Sequence, residues 1–164
     1  MEKKEVLEKL IDSYRKYYDV NTETPVEPFV AEAVFRSHGE EYFLFKSAKI
    51  NEMDSSETAF FADVDRLDDA GYEALVEKAW SETLDRADVK EHHRNSDGIL
   101  LIVADSIDAG TKKIIKKTRR YKSYRFSFRG WSELRVIAYE HSLGKIVYNR
   151  QGEMLRKLFA MIDS

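Results

Sequence analysis

Apolar residues enter the chain at helical spacing. Val6, Leu7, Leu10, Ile11, Tyr14, Tyr17 and Tyr18 recur every three or four positions with Lys and Glu between them, which predicts an amphipathic helix over residues 3–18 whose aromatic end anchors it to a sheet. Pro25 and Pro28, the only prolines, stand in an acidic connector that stops this helix and delivers the chain to a strand. The period then changes to two. Strands are expected over 29–36, 42–50 and 58–65, separated by His38-Gly39-Glu40 and by residues 51–57, as an antiparallel meander. Phe29, Ala31, Ala33 and Phe35 share one face of the first, and Thr58, Phe60, Ala62 and Val64 one face of the third.

Helical spacing returns after Asp68, an N-cap residue, and Tyr72, Leu75, Val76, Ala79, Trp80, Thr83 and Leu84 line one face through to about Arg86. A polar link over 88–97 leads to Gly98 and the run Ile99-Leu100-Leu101-Ile102-Val103-Ala104. Being apolar on both faces, this run predicts a central strand covered on both sides. Asp105 to Asp108 then cap a helix over 111–122 with Ile114, Ile115, Thr118 and Tyr121 inward. Strands are expected over 123–129 and 131–140, a turn at Ser142-Leu143-Gly144 and a strand over 145–149. A closing helix follows with Met154, Leu155, Leu158, Phe159 and Ile162 on one side. The order helix, three strands, helix, strand, helix, three strands, helix makes an α+β (mixed α/β) protein. Its mixed sheet has about six or seven strands with about four packed helices, in one domain over residues 1–164.

Composition narrows the setting. With 43% hydrophobic residues and no cysteine, the chain has the makings of a packed core and no disulfide, thiolate metal site or cysteine nucleophile. This fits a reducing compartment and makes the cytoplasm the expected location. The N-terminal stretch carries acidic residues throughout, unlike a secretory or import signal. The run Ile99 to Ala104 is the longest apolar one and falls far short of the ~20 residues a membrane span needs, so no membrane insertion is expected.

The net charge of -3 conceals an asymmetry: residues 1–110 hold 13 Lys or Arg against 26 Asp or Glu, and residues 111–164 hold 14 against 4. The densest block is Lys112, Lys113, Lys116, Lys117, Arg119, Arg120, Lys122, Arg125 and Arg129, with no acid among them. Such a run forgoes the few tenths of a kcal/mol that each i, i+4 ion pair contributes, so something must offset the repulsion. Two readings stand. In the leading one, the cations are balanced by the acidic first half, across the fold or between subunits. In the other they form an anion or nucleic-acid site of Lys112, Lys113, Lys116, Lys117, Arg119, Arg120, Arg125, Arg129 and Arg135, with Arg125 and Arg129 opposite Tyr124, Phe126 and Phe128, and with Trp131 stacking on single-stranded bases.

Catalytic patterns are missing. No phosphate-cradling glycine loop, dinucleotide fingerprint, serine elbow or zinc helix occurs, and no cofactor is expected. His92 and His93 are neighbours and point ~100° apart on a helix, so no metal site is expected from them. The opening order of elements is similar to that of the nuclease-like fold, whose active members hold Mg²⁺ with an Asp and a Glu-x-Lys. Here Asp63 is followed by Asp65, and Glu41 by Phe43, so that motif is absent and only a degenerate, binding version stays open. Glu32, Lys46 and Asp63 would have to share a cleft to revive an enzyme. Asp105, at the carboxyl end of the buried strand, is read first as a helix cap and second as a ligand group.

The segment Phe128-Arg129-Gly130-Trp131-Ser132-Glu133-Leu134-Arg135 has structural features of its own. Gly130 allows a tight bend, Trp131 covers the sheet, and Glu133 and Arg135 pair along a strand. Together with the basic helix before it, the strand Lys145 to Arg150 after it, the strand Tyr42 to Lys46 and the link Glu91-His92-His93, this segment resembles a family of small bacterial proteins with no assigned activity. The resemblance implies a bacterial cytoplasmic setting and no site residues. The expected function is a non-enzymatic binding or accessory module acting through a protein partner or self-association, with nucleic-acid binding as the alternative.

Overall fold

The computed structural model describes residues 1–35, 55–87, 95–124 and 130–162. The expected strand over 42–50, the turn at 38–40, His92 and His93, Lys46, Arg125 and Arg129 lie outside the described residues. Element order is α1 (Lys3–Tyr14), β1 (Tyr18–Asn21), β2 (Ala31–Phe35), β3 (Ser55–Leu67), α2 (Asp69–Arg86), β4 (Asn95–Ile107), α3 (Ala109–Lys117), β5 (Tyr121–Ser123), β6 (Trp131–Glu140), β7 (Lys145–Tyr148), a 3-10 turn (Arg150–Leu155) and α4 (Arg156–Ile162). This is the mixed α+β succession expected.

The strands form a seven-stranded mixed sheet in the order β1-β2-β3-β4-β6-β5, with β7 also on β6. β1 and β2, and β2 and β3, pair antiparallel; β3, β4 and β6 run parallel, with Phe60 opposite Leu100 and Leu100 opposite Val136. The parallel trio is buried on both faces, as crossover helices require. One face, with Ala59, Phe61, Ile99, Leu101, Val103 and Ile137, packs against α1, the 3-10 turn and α4 through Leu10, Tyr14, Leu155 and Phe159. The other, with Phe60, Ala62, Leu100, Ile102, Val136 and Ala138, packs against α2 and α3 through Tyr72, Val76, Ala79 and Ile115.

Several expectations are corrected. α1 ends at Tyr14, and Tyr18 begins the edge strand β1, where its ring meets Tyr14 and Phe35 edge-on. β2 bonds directly to β3, so no strand stands between them as a 29–36, 42–50, 58–65 meander would need. Phe29 precedes the extended segment and packs on Phe60, on the face opposite Ala31 and Ala33. β3 was expected to bury one side and buries both, Ala59 and Phe61 being as enclosed as Phe60. α3 stops at Lys117 rather than residue 122, and Tyr121, expected inward, is 45% exposed. Met154 is likewise exposed, because its turn is 3-10 and the α-helical stripe begins only at Arg156. Asp68 caps α2 as expected, accepting from the Gly71 N–H, and Gly130 has the positive φ that a bend requires.

Candidate anion-binding surface

α3 is short and one-sided. Thr111 and Ile115, four residues apart, are fully buried against the sheet, and Thr118 continues that stripe. Thr118 Oγ1 bonds the Ile114 carbonyl at 2.8 Å and the Tyr72 hydroxyl at 2.8 Å, which ends the helix against α2. Ile114 also packs against that core, while Lys113, Lys116 and Lys117 are exposed with no acidic partner among the described residues. Lys116 and Lys117 also occupy the last turn, where the helix dipole favours cations.

The surface continues into β5. Exposed Arg119 holds its guanidinium 5.5 Å from the Tyr121 ring centre, and Lys122 holds its ammonium 5.5 Å from that of Tyr124. The Tyr124 hydroxyl is fixed by Ser132 Oγ at 2.9 Å. The exposed face thus alternates cations with aromatic rings.

Three of the expected site residues are committed elsewhere. Lys112 turns back to Glu140, Nζ to Oε1 2.6 Å, while the Ile107 N–H donates to Glu140 Oε2 at 2.8 Å. Burial opposes ionisation of Glu140, yet these donors and the charges of Lys112 and Lys145 hold its carboxyl below the usual range. Arg120 reaches Glu77 at 3.3 Å and Glu73 at 3.7 Å on α2, exposed pairs that contribute little to stability.

Arg135 does not belong to this surface. Its place on β6 turns it to the α1/α4 face, where Glu57 of β3 lies at 3.3 Å, Asp97 of β4 at 3.2 Å and Glu133 at 3.7 Å. The last is the strand pair expected from the sequence. The Tyr18 hydroxyl donates to Glu57, and burial raises the Tyr18 phenol. Asp97 is pushed up to about 6, first by burial and then by Glu133 and Glu57, against the pull of Arg135 and of the Glu133 N–H. Sequence reasoning missed this cluster. Its available signal was a carboxylate two residues ahead of an inward apolar position in two strands, Glu57 before Ala59 and Asp97 before Ile99, with Glu133 two before Arg135 in the third.

The carboxylates considered for catalysis are separated. Glu32 faces the α2 side and pairs with Arg86 at 3.1 Å, whereas Asp63 faces the α1 side and pairs with Lys3 at 2.9 Å. Asp105 is not a cap: it meets Lys3 at 3.2 Å, and the N-cap of α3 is Asp108, whose carboxylate pairs with Arg66. Among the described residues no three His, Asp or Glu side chains are grouped to hold a metal, and no helix is long and apolar enough to cross a membrane.

No curated protein and no solved structure matches the chain. A family match does cover residues 2–161, nearly the whole sequence, from before α1 into α4, so the chain belongs to DUF8052, a domain of unknown function.

Proposed function

We propose that this chain is a binding module whose ligand is the phosphate backbone of a single-stranded nucleic acid, laid along α3 and β5. The supporting observation is the group Lys113, Lys116, Lys117 and Arg119, exposed and without acidic partners among the described residues, beside the exposed Tyr121 ring. Internal compensation accounts for Lys112, Arg120 and Arg135 and leaves these four cations over. Phosphates neutralise them with release of counterions, and the tyrosines offer π-faces to bases of any sequence. A cytoplasmic setting, expected from the cysteine-free composition, suits such a ligand.

Fluorescence anisotropy with labelled single- and double-stranded DNA and RNA tests the reading. Four single-strand phosphate contacts correspond to a salt slope of about -2.8, so affinity should fall about 50-fold between about 50 and 200 mM salt. A variant carrying Lys113→Gln, Lys116→Gln, Lys117→Gln and Arg119→Gln keeps helix propensity and should lose most of that binding while melting normally. Equal binding by the variant, or none by the native protein at low salt, refutes the proposal.

A further inference from the structure

Along the 3-10 turn and the start of α4 lies an open groove of about 520 Å³ whose wall includes Arg150, Gln151, Glu153, Met154, Arg156 and Lys157. Among the described residues the one acid in this wall is Glu153, and it is engaged with Arg156 at 3.4 Å. Arg150 and Lys157 are exposed and have no acidic partner among the described residues. Arg156 also lies 5.7 Å over the Tyr148 ring, and Met154 is 59% exposed, so cations again stand beside apolar surface.

The segment that leads into the groove is tied to the end of α3 by one buried side chain. Asn149 Nδ2 donates to the Thr118 carbonyl at 3.1 Å and the Leu134 carbonyl at 3.0 Å. Its Oδ1 accepts from the Val136 and Gly152 N–H groups, each at 2.9 Å. The Leu134 N–H in turn donates to the Arg120 carbonyl at 3.1 Å. The end of α3, the edge of β6 and the start of the 3-10 turn are therefore held together, with Arg119 next to Thr118 and Arg150 next to Asn149. Gly152 allows the approach, since a Cβ there would sit 2.3 Å from the Val136 carbonyl oxygen. Such a junction fixes the spacing between the two groups of cations.

We infer that the groove is a second phosphate-binding station on the same ligand, so that a single strand runs from α3 past the Thr118–Asn149 junction to Arg150 and Lys157. This rests on the reading under Proposed function and adds to it a track with a minimum length. Labelled oligo-dT of about 6 and about 20 nucleotides, within and beyond the span of one small binding site, separates the two claims. In an Arg150→Gln, Lys157→Gln variant, two lost single-strand contacts should reduce the salt slope for the longer strand by about 1.4. Binding of the shorter strand, which the α3–β5 surface can hold alone, should change less than twofold. Both side chains are exposed, and an unchanged thermal melt checks the fold. An unchanged slope and affinity for the longer strand, with binding still lost in the α3 variant, overturns the groove and leaves the α3–β5 surface standing. No binding of either strand by the native protein overturns both.

Discussion

Asp97→Asn is expected to raise stability at neutral pH relative to its effect in acid. Asp97 is 7% exposed on β4; Glu57 on β3 and Glu133 and Arg135 on β6 face it, and Tyr14 of α1 and Tyr18 of β1 close the cluster around Glu57. Three carboxylates share one guanidinium, and burial raises Asp97 from 3.8 to about 6. Between these values the folded protein holds a proton that the unfolded chain has released, so stability falls as pH rises through this window and the cost is complete above pH 6. At about 1.4 kcal/mol per pH unit, the gap of about 2.2 corresponds to about 3 kcal/mol. Asparagine keeps an oxygen for the Glu133 N–H, now 3.2 Å from Asp97 Oδ1, and carries no charge. It also gives up the contact with Arg135, which keeps Glu57 and Glu133; that change is a constant offset. The quantity to measure is therefore the stability of the variant minus that of the native protein, from urea melts followed by circular dichroism at pH 4, 5, 6 and 7. It should become more favourable by about 2.4 kcal/mol across the series, part of the effect being already present at pH 4, or about 5–10 °C in Tm for a chain of this size. A difference that stays constant within about 0.5 kcal/mol would refute the assignment of a raised Asp97 and the charge balance behind it.

Glu140→Gln should show the opposite dependence. The native carboxyl is held below its ordinary 4.5, so its contribution is present above that value and is lost as pH falls through the folded one. The variant should be less stable by about 2 kcal/mol at pH 7, less than for a fully buried pair because Lys112 is part-exposed, and the gap should close in acid. A gap that widens below pH 4 would contradict this. Asn149→Ala removes four hydrogen bonds and takes this partner from the Val136 N–H and the Leu134 and Thr118 carbonyls, at a cost of roughly 3 kcal/mol. Denaturant melts showing a loss under 1 kcal/mol would mean that the junction closes without it.

Where local chemistry decides, sequence and structure agree. Asp68 accepts from the N–H three residues on, and the stripe from Tyr72 to Thr83 repeats at the helical period, so α2 was legible to its ends. The strand expected over 131–140 is β6 with those same bounds, and the double-sided apolar run marked β4 as central. The division of the charges was legible only as a total. Lys112 and Lys113 are neighbours of the same type, and helix rotation alone turns one to Glu140 and the other to solvent. α3 continued in pattern to Tyr121, but residues beyond Thr118 join the edge of β6 instead, exchanging a last helical turn for sheet pairing. Arg135 shows the limit most clearly: as a sequence position it extends a basic run, and its partners Glu57 and Asp97 stand 78 and 38 residues away. The chain by itself determined the succession of helices and strands and how much charge each half carries, because periodicity and capping act within a few residues. Which cations are paired and which face outward was decided by tertiary structure, because the parallel register of β3, β4 and β6 alone brings those distant carboxylates to one side chain.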